Sequence, residues 1–291
     1  LLRLALALSV GLSLGLSSLS LSAQQMVITF RSPESGSDQR AAYTNALLTL
    51  ALEKTLATHG PYEIKLAPAM NKRRTISSVS TRAYPNFFAL LAFDESYKKA
   101  ELEYLPLPVH MGVLGYRICF TAPGLEADIA KVKTLDDLRR YSVGQGVGWS
   151  DVNILRANGF KVMEVAAYDS LFAMLSRGRF DLLCRGVNEV QSEILTHPDL
   201  HLDQSFALFY PLPIFFYTHK DNRAAIERVT AGLQSAFDDG SMHKLFKQYF
   251  LKSIQSAQLR QRRIFRLTNP LITGLDFDYK KFDFNLLNPG D

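Results

Sequence analysis

The stretch YDSLFAMLSRGRFDLLC, residues 168–184, decides the fold class. Leu171, Phe172 and Leu175 recur at helical spacing, and Asp169 sits where an acidic side chain favours a helix start. Residues 180–184 then form an apolar run of strand length. A helix that runs directly into a short apolar strand is the second half of a β-α-β unit. Upstream, the reading predicts strands over 115–121, 141–144 and 161–166, with helices over 134–140 and 151–157. The second of these helices is closed by Asn158-Gly159, and a further helix is predicted over 187–196. Alternation of this kind implies a mainly parallel sheet flanked by helices.

Nearer the N-terminus the same rhythm recurs. Residues 26–30 read as a strand, 31–39 as a polar loop and 40–59 as a helix with Asp38 as its N-cap. Ala42, Ala46, Leu47 and Leu50 share one face of that helix, and Gly60-Pro61 stops it. A strand over 62–67, a basic helix over 71–82 and a strand over 87–93 complete a β-α-β-α-β series. After a Pro-rich apolar segment at 206–217 come two more helices. The first is capped by Asp221 and carries Ile226, Val229, Leu233 and Phe237 inward. The second opens at Gly240-Ser241 and carries Leu245, Phe246, Tyr249 and Phe250. The tail from Ser256 is basic, then aromatic.

The 291 residues are 47% hydrophobic and 21% charged, which excludes disordered and low-complexity classes and fits about two folding units. Two cysteines are too few for a disulfide-built scaffold or a cysteine-built zinc site. Thirty-three Lys and Arg against 28 Asp and Glu give a net +5 with no dense basic tract, so nucleic acid is not an expected partner. Residues 1–22 hold ten leucines and a single charge, Arg3, before the polar pair Gln24-Gln25. This pattern is that of a secretory signal peptide over 1–23, cut after Ala23, with an uncleaved membrane anchor as the alternative. The expected location is periplasmic.

The order of elements resembles the extracytoplasmic solute-binding proteins of family 3, the amino-acid-receptor type. Residues 98–109 followed by Gly115-Tyr116-Arg117 resemble the passage from the first lobe into the second. Thr134-Leu135-Asp136-Asp137-Leu138, LFAMLSRGRFD at 171–181, and Asp239-Gly240-Ser241 with Leu245-Phe246 are similar to further motifs of that family. The resemblance covers about residues 26–250. Arg185-Gly186-Val187-Asn188-Glu189 and RIFRLTNP at 263–270 depart from amino-acid receptors and resemble an uncharacterised bacterial group of transporter substrate-binding domains.

The resemblance implies an α/β, two-lobed, type II periplasmic-binding fold with a hinge and a central cleft. Its divisions are lobe one over 24–111, an inserted lobe two over 112–206, a return to lobe one over 207–255, and a tail over 256–291 packing on lobe one. It implies a small-molecule solute, a monomer, and a permease of the ABC class or a membrane sensor as partner, with no cofactor or metal. Receptors of the family hold the ligand carboxylate with an Arg of lobe one and its amino group with a carboxylate of lobe two. The corresponding positions here are Lys98, or its neighbour Lys99, and Arg185, and Lys98 with Arg185 favours an anionic ligand. The fold also brings the strands bearing Cys119 and Cys184 near each other, which leaves a disulfide open.

Around these two cations, the glycine-rich turn at 144–151 opens a helix and offers Trp149 and Ser150, with backbone N–H groups suited to anions. Glu34 and Ser35 in the first loop, Arg117 at the crossover, and Asn188 and Glu189 beyond Arg185 complete the candidate ligand-binding set. Bland readings stand beside these. Arg185 bridges to Glu189 or another acid, Arg117 is a hinge ion pair, and Trp149 is a wedge in the hinge. The glycine turn is not a dinucleotide fingerprint, because Trp149 stands where the third glycine belongs. His197 and His201 are separated by Pro198, which breaks the helix a metal pair would need. Two other functions remain open. One is an enzyme on the same scaffold, resembling dehydratases, with Glu34 or Glu189 as general acid or base. The other is a ligand-free interaction module.

Overall fold

The computed structural model describes residues 25–33, 36, 38 and 40–289. The leader reading for 1–23 lies outside them, and so do Glu34 and Ser35.

Lobe one begins with β1 (Met26–Arg31), α1 (Ala41–Lys54), α2 (Leu56–His59), β2 (Tyr62–Ala67), α3 (Lys72–Ser80), β3 (Ala89–Ala92) and β4 (Leu102–Tyr104). The single helix expected over 40–59 is interrupted at Thr55. The Thr55 hydroxyl turns back to the carbonyls of Ala51 and Leu52 and accepts from the buried Arg228, so the side chain competes with the helix ladder. Asp38 does not cap α1. The helix starts one residue beyond Arg40, and Asp38 instead accepts from the Arg40 backbone and guanidinium.

Lobe two comprises β5 (Tyr116–Thr121), α4 (Glu126–Ile129), α5 (Leu135–Leu138), β6 (Ser142–Gly146), α6 (Ser150–Ala157), β7 (Lys161–Val165), α7 (Tyr168–Ser176), β8 (Leu182–Gly186), α8 (Val190–Thr196), β9 (His201–Leu202) and β10 (Phe206–Phe209). The chain returns through β11 (Ile214–His219), α9 (Arg223–Asp238) and α10 (Ser241–Ser256), and ends with β12 (Arg263–Arg266). Asn222, not Asp221, occupies the N-cap of α9, and Asp221 pairs with Arg82.

β1 and β2 are parallel, and Thr29 bridges to Phe87 in the same sense. β11 then lies antiparallel between β3 and β4. The sheet of lobe two runs β12-β10-β5-β8-β6-β7, with β7, β6 and β8 parallel and β9 on β5. The entering strand β5 is antiparallel to both β8 and β10. Each lobe thus keeps its β-α-β part parallel, and the strands that cross the hinge run the other way.

Two crossings are joined directly, since Tyr210 donates its backbone N–H to Gly115. A third segment lies beside them and corrects the expected course of the tail. β12 pairs with β10 and so extends lobe two, its short run Arg-Ile-Phe-Arg carrying the charged ends that suit an open sheet edge. Leu267 then donates to Phe209, and Asn269 to the Pro211 carbonyl. Beyond this point the tail crosses to lobe one, where Phe277 meets Tyr104 and Phe215, and Phe282 meets Phe237. The boundary of the return also moves, since Phe206–Phe209 belongs to lobe two and the chain re-enters lobe one at Ile214.

On the far side of lobe one, α1 and α9 pack backbone to backbone. A Cβ on Gly232 would lie 2.0 Å from the Ala51 carbonyl oxygen, so no larger residue fits there. Cys119 and Cys184 face each other in the β5–β8 register and form a disulfide.

Candidate functional site

A cavity of about 190 Å³ lies between the lobes, where the ends of β1, β3 and β11 face those of β6 and β8. Parallel sheets place ligands at such ends. Six of the nine candidate residues line it: Arg117, Trp149, Ser150, Arg185, Asn188 and Glu189. Glu34 and Ser35 lie outside the described residues.

Lys98 does not line the cavity, and its expected role is corrected. Residues 95–100 form a short tight helix capped by Asp94, which buries Tyr97 and turns Lys98 outward. There Lys98 is 66% exposed and pairs with Glu95. The lysine that lobe one does place in the cavity is Lys72, at the first turn of α3. A sequence signal for it exists. Lys72, Thr75 and Val79 recur at helical spacing, and Thr75 and Val79 are buried, so Lys72 starts the inward face. The Asn71 side chain caps this helix through Arg74 N–H and fixes that face.

The arginines of lobe two are held by acids of their own lobe. Arg185 is 2% exposed. Its Nε donates to Glu193 at 2.8 Å and its Nη2 to Glu189 at 2.7 Å. Glu189 follows Arg185 by four residues, as the bridging reading of this pair requires, and it also accepts from Gly186 N–H at 2.9 Å. Arg117, at the start of β5, reaches Asp151 at 2.8 Å, the Tyr210 hydroxyl at 3.1 Å and Glu189 at 3.5 Å. Tyr210 in turn donates to Asp151 at 2.6 Å. Burial opposes the charge on both arginines, but the carboxylates beside them outweigh it and hold the guanidinium pKa values above normal. Asp151 is buried too, and the charge of Arg117 with the Tyr210 hydrogen bond nevertheless holds it below the usual carboxylate range. Glu193 behaves differently. Its burial prevails over Arg185 and its pKa is raised.

Trp149 lies flat on the end of β6, with Arg185 4.7 Å and Arg40 5.5 Å from its ring centre. Gly146 makes this possible, because a Cβ there would lie 2.3 Å from the indole. Replacing Gly146 with Ala is therefore expected to lift the indole off the strand, at a cost of roughly 1–3 kcal/mol from overpacking. Trp149 is the sole tryptophan, so its emission reports the change directly. The expected result is a red-shifted emission maximum, and an unchanged spectrum would contradict this packing.

Contacts also run between the lobes. Lys72 Nζ donates to Ser150 Oγ at 3.0 Å, and the Arg40 guanidinium lies 4.2 Å from the Tyr168 ring centre. Sequence reasoning passed over Arg40, Lys72, His110, Asp151 and Tyr210, of which the first four line the cavity. His110 is held neutral, its pKa pushed down to about 3 by burial and by the nearby Arg117 charge. Its Nδ1 and the Asn188 Oδ1 are buried without hydrogen-bond partners. His197, by contrast, stacks on Phe172 at 4.0 Å, well away from the cavity.

No protein-family profile matches the chain, and no curated protein matches its sequence. Solved structures do match. A periplasmic binding protein from Salmonella typhimurium, described as highly arginine-specific, is 13% identical with a TM-score of 0.59, covering 77% of this chain and 99% of its own. An arginine transport-system binding protein from Legionella pneumophila is 14% identical with a TM-score of 0.58, covering 78% and 100%. An ancestral amino-acid-binding protein, described as a precursor of cyclohexadienyl dehydratase, is 15% identical with a TM-score of 0.57, covering 77% and 96%. At these identities the likeness concerns architecture: the chain has the two-lobed, type II fold of periplasmic solute-binding proteins.

Proposed function

We propose that the chain is an extracytoplasmic receptor that closes its two lobes on a small anionic solute and presents the closed form to a membrane transporter or sensor. The observation that carries this reading is Lys72. It reaches across the cleft from lobe one to Ser150 of lobe two, and among the described residues no carboxylate lies within ion-pair distance of it. An anion bound beside it would contact both lobes at once, and a ligand that touches both lobes favours the closed state over the open one. The amino-acid-binding proteins of the same architecture support a receptor role. An elimination enzyme is less well served. Glu189 is committed to Arg185, Arg117 and the Gly186 N–H, which leaves it poorly placed to move a proton of a substrate.

Lys72 gives the test a pH signature. Burial lowers its pKa to about 8, against the opposing charges of Asp151 on α6 and Asp94 before residues 95–100. Arg31, Arg40 and Arg117 line the same cavity, and His110 is neutral there. A bound anion favours the ammonium form and raises that pKa, so binding takes up a proton above pH 8. Affinity for an anionic ligand is therefore expected to be flat below about pH 7 and to fall by up to roughly tenfold per unit above pH 8. Titration calorimetry across this range on the wild type and on Lys72→Met checks it. The variant should bind at least about tenfold more weakly and lose the pH slope, while its unliganded fold is no less stable. Unaltered binding by Lys72→Met would remove the basis of the anion reading.

A further inference from the structure

The two walls of the cavity differ in their share of apolar side chains. Lobe one and the return segment supply Phe30, Leu48, Phe88, Leu212, Ile214 and Phe216, beside the charged Arg31 and Arg40. Lobe two supplies Trp149, Ser150, Asp151, Arg185, Asn188 and Glu189, while Lys72 reaches Ser150 from the other side. The carboxylates of this charged wall already hold cations. Asp151 accepts from Arg117 and Tyr210, and both oxygens of Glu189 are taken, one by Arg185 and the other by Arg117 and Gly186 N–H. Behind them Glu193 accepts from Arg185 and Tyr168. A ligand ammonium placed here would meet the like charges of Lys72, Arg117 and Arg185, and the two lining carboxylates, Asp151 and Glu189, are already paired with those arginines.

We infer that the ligand of this site is a carboxylate with an apolar body and no ammonium group, its anionic end beside Lys72 and Ser150 and its body against the aromatic and aliphatic wall of lobe one. The inference rests on the receptor reading above and names its ligand class. Burial of an unpaired ammonium is strongly unfavourable, and like charges on Arg117 and Arg185 add to the penalty. Burial of the body against Phe30, Phe88 and Phe216 supplies favourable free energy in proportion to apolar area. The unpartnered Asn188 Oδ1 accepts and so suits a hydroxyl beside the head group, His110 Nδ1 donates or accepts according to its tautomer, and, being neutral, neither compensates the charge of an ammonium.

The experiment uses pairs that differ only by the ammonium group. Binding of isocaproate is compared with leucine, and of hydrocinnamate with phenylalanine, by calorimetry and thermal shift on the full chain. Succinate and arginine serve as ligands without an apolar body. The deaminated acid of each pair is expected to bind at least about tenfold more tightly than its amino acid, and more tightly than succinate or arginine. Equal or tighter binding of leucine, phenylalanine or arginine would overturn the inference and leave the receptor reading standing. Tighter binding of succinate would overturn the role of the apolar wall. If no small solute of any class shifts the melting temperature, the receptor reading itself fails.

Discussion

Removing the Cys119–Cys184 disulfide is expected to cost about 4 kcal/mol of stability. The bond closes a loop with a sequence separation of 65 residues, and in the chain-entropy account such a loop costs the unfolded chain between the roughly 3 kcal/mol of a 15-residue loop and the roughly 4.7 kcal/mol of a 100-residue one. Both sulfurs lie in the interior of lobe two, so a Cys119→Ala/Cys184→Ala variant also loses some packing. For a protein of this size the loss corresponds to a fall of about 10 °C in melting temperature. Denaturant titration of the double variant against the oxidised wild type measures it. Coincident midpoints would show that the bridge does not constrain the unfolded chain as the register implies. The consequence reaches the cavity, since Cys184 immediately precedes Arg185 and β8 carries both.

This bridge shows where the sequence stops being informative. Each cysteine sits in a readable apolar strand, but adjacency of β5 and β8 depends on where the chain enters lobe two. Cys119 opposite Cys184 depends on antiparallel register, and neither property is local. The α7–β8 step was legible for the opposite reason. Leu171, Phe172 and Leu175 are a local pattern, and all three are buried where the spacing puts them. The C-terminal tail had no such local code. Its strand β12 is defined by the free edge of β10, and the aromatic residues that follow are defined by cavities in lobe one that the sequence does not display.

The cleft was legible on one side. Arg185 was found through the family resemblance, Asn188 and Glu189 because they follow it closely at the end of β8, and Trp149 and Ser150 because they lie in the glycine-rich turn that opens α6. The cation of lobe one was misplaced from Lys72 to Lys98. Both sit in basic, polar surroundings, and the difference is helical phase: Lys72 shares its face with Thr75 and Val79, whereas Lys98 follows the buried Tyr97 by one residue and is turned away. Asp151 and Tyr210 illustrate a further limit. Fifty-nine residues separate them, and only the crossing of the hinge brings the hydroxyl to the carboxylate.

Arg185→Leu is expected to destabilise the protein by about 3–5 kcal/mol, because it leaves two buried carboxylates, Glu189 and Glu193, without the guanidinium they share. Glu189 retains the Gly186 N–H and the more distant Arg117, so the larger loss falls on Glu193, which keeps only the Tyr168 hydroxyl. The pH dependence follows with a definite sign. Glu193 already has a pKa raised by burial, and removal of Arg185 raises it further. The folded variant then binds a proton that the unfolded chain has lost, so its stability falls as pH rises above the ordinary carboxylate range. The deficit against wild type should be smaller near pH 5 than near pH 8. A second substitution separates loss of the charge pair from loss of shape. Arg185→Leu/Glu193→Leu removes the stranded carboxylate and is expected to recover part of the stability and to flatten the pH dependence. If Arg185→Leu melts with the wild type, or if the double variant is no better than the single one, the buried pair is not what holds this wall. The same variants bear on the ligand, because the wall that excludes an ammonium group does so only while its carboxylates are occupied. With Arg185 gone, the cavity-lining Glu189 loses its nearest cation in both variants, so leucine and phenylalanine should gain affinity relative to isocaproate and hydrocinnamate in each.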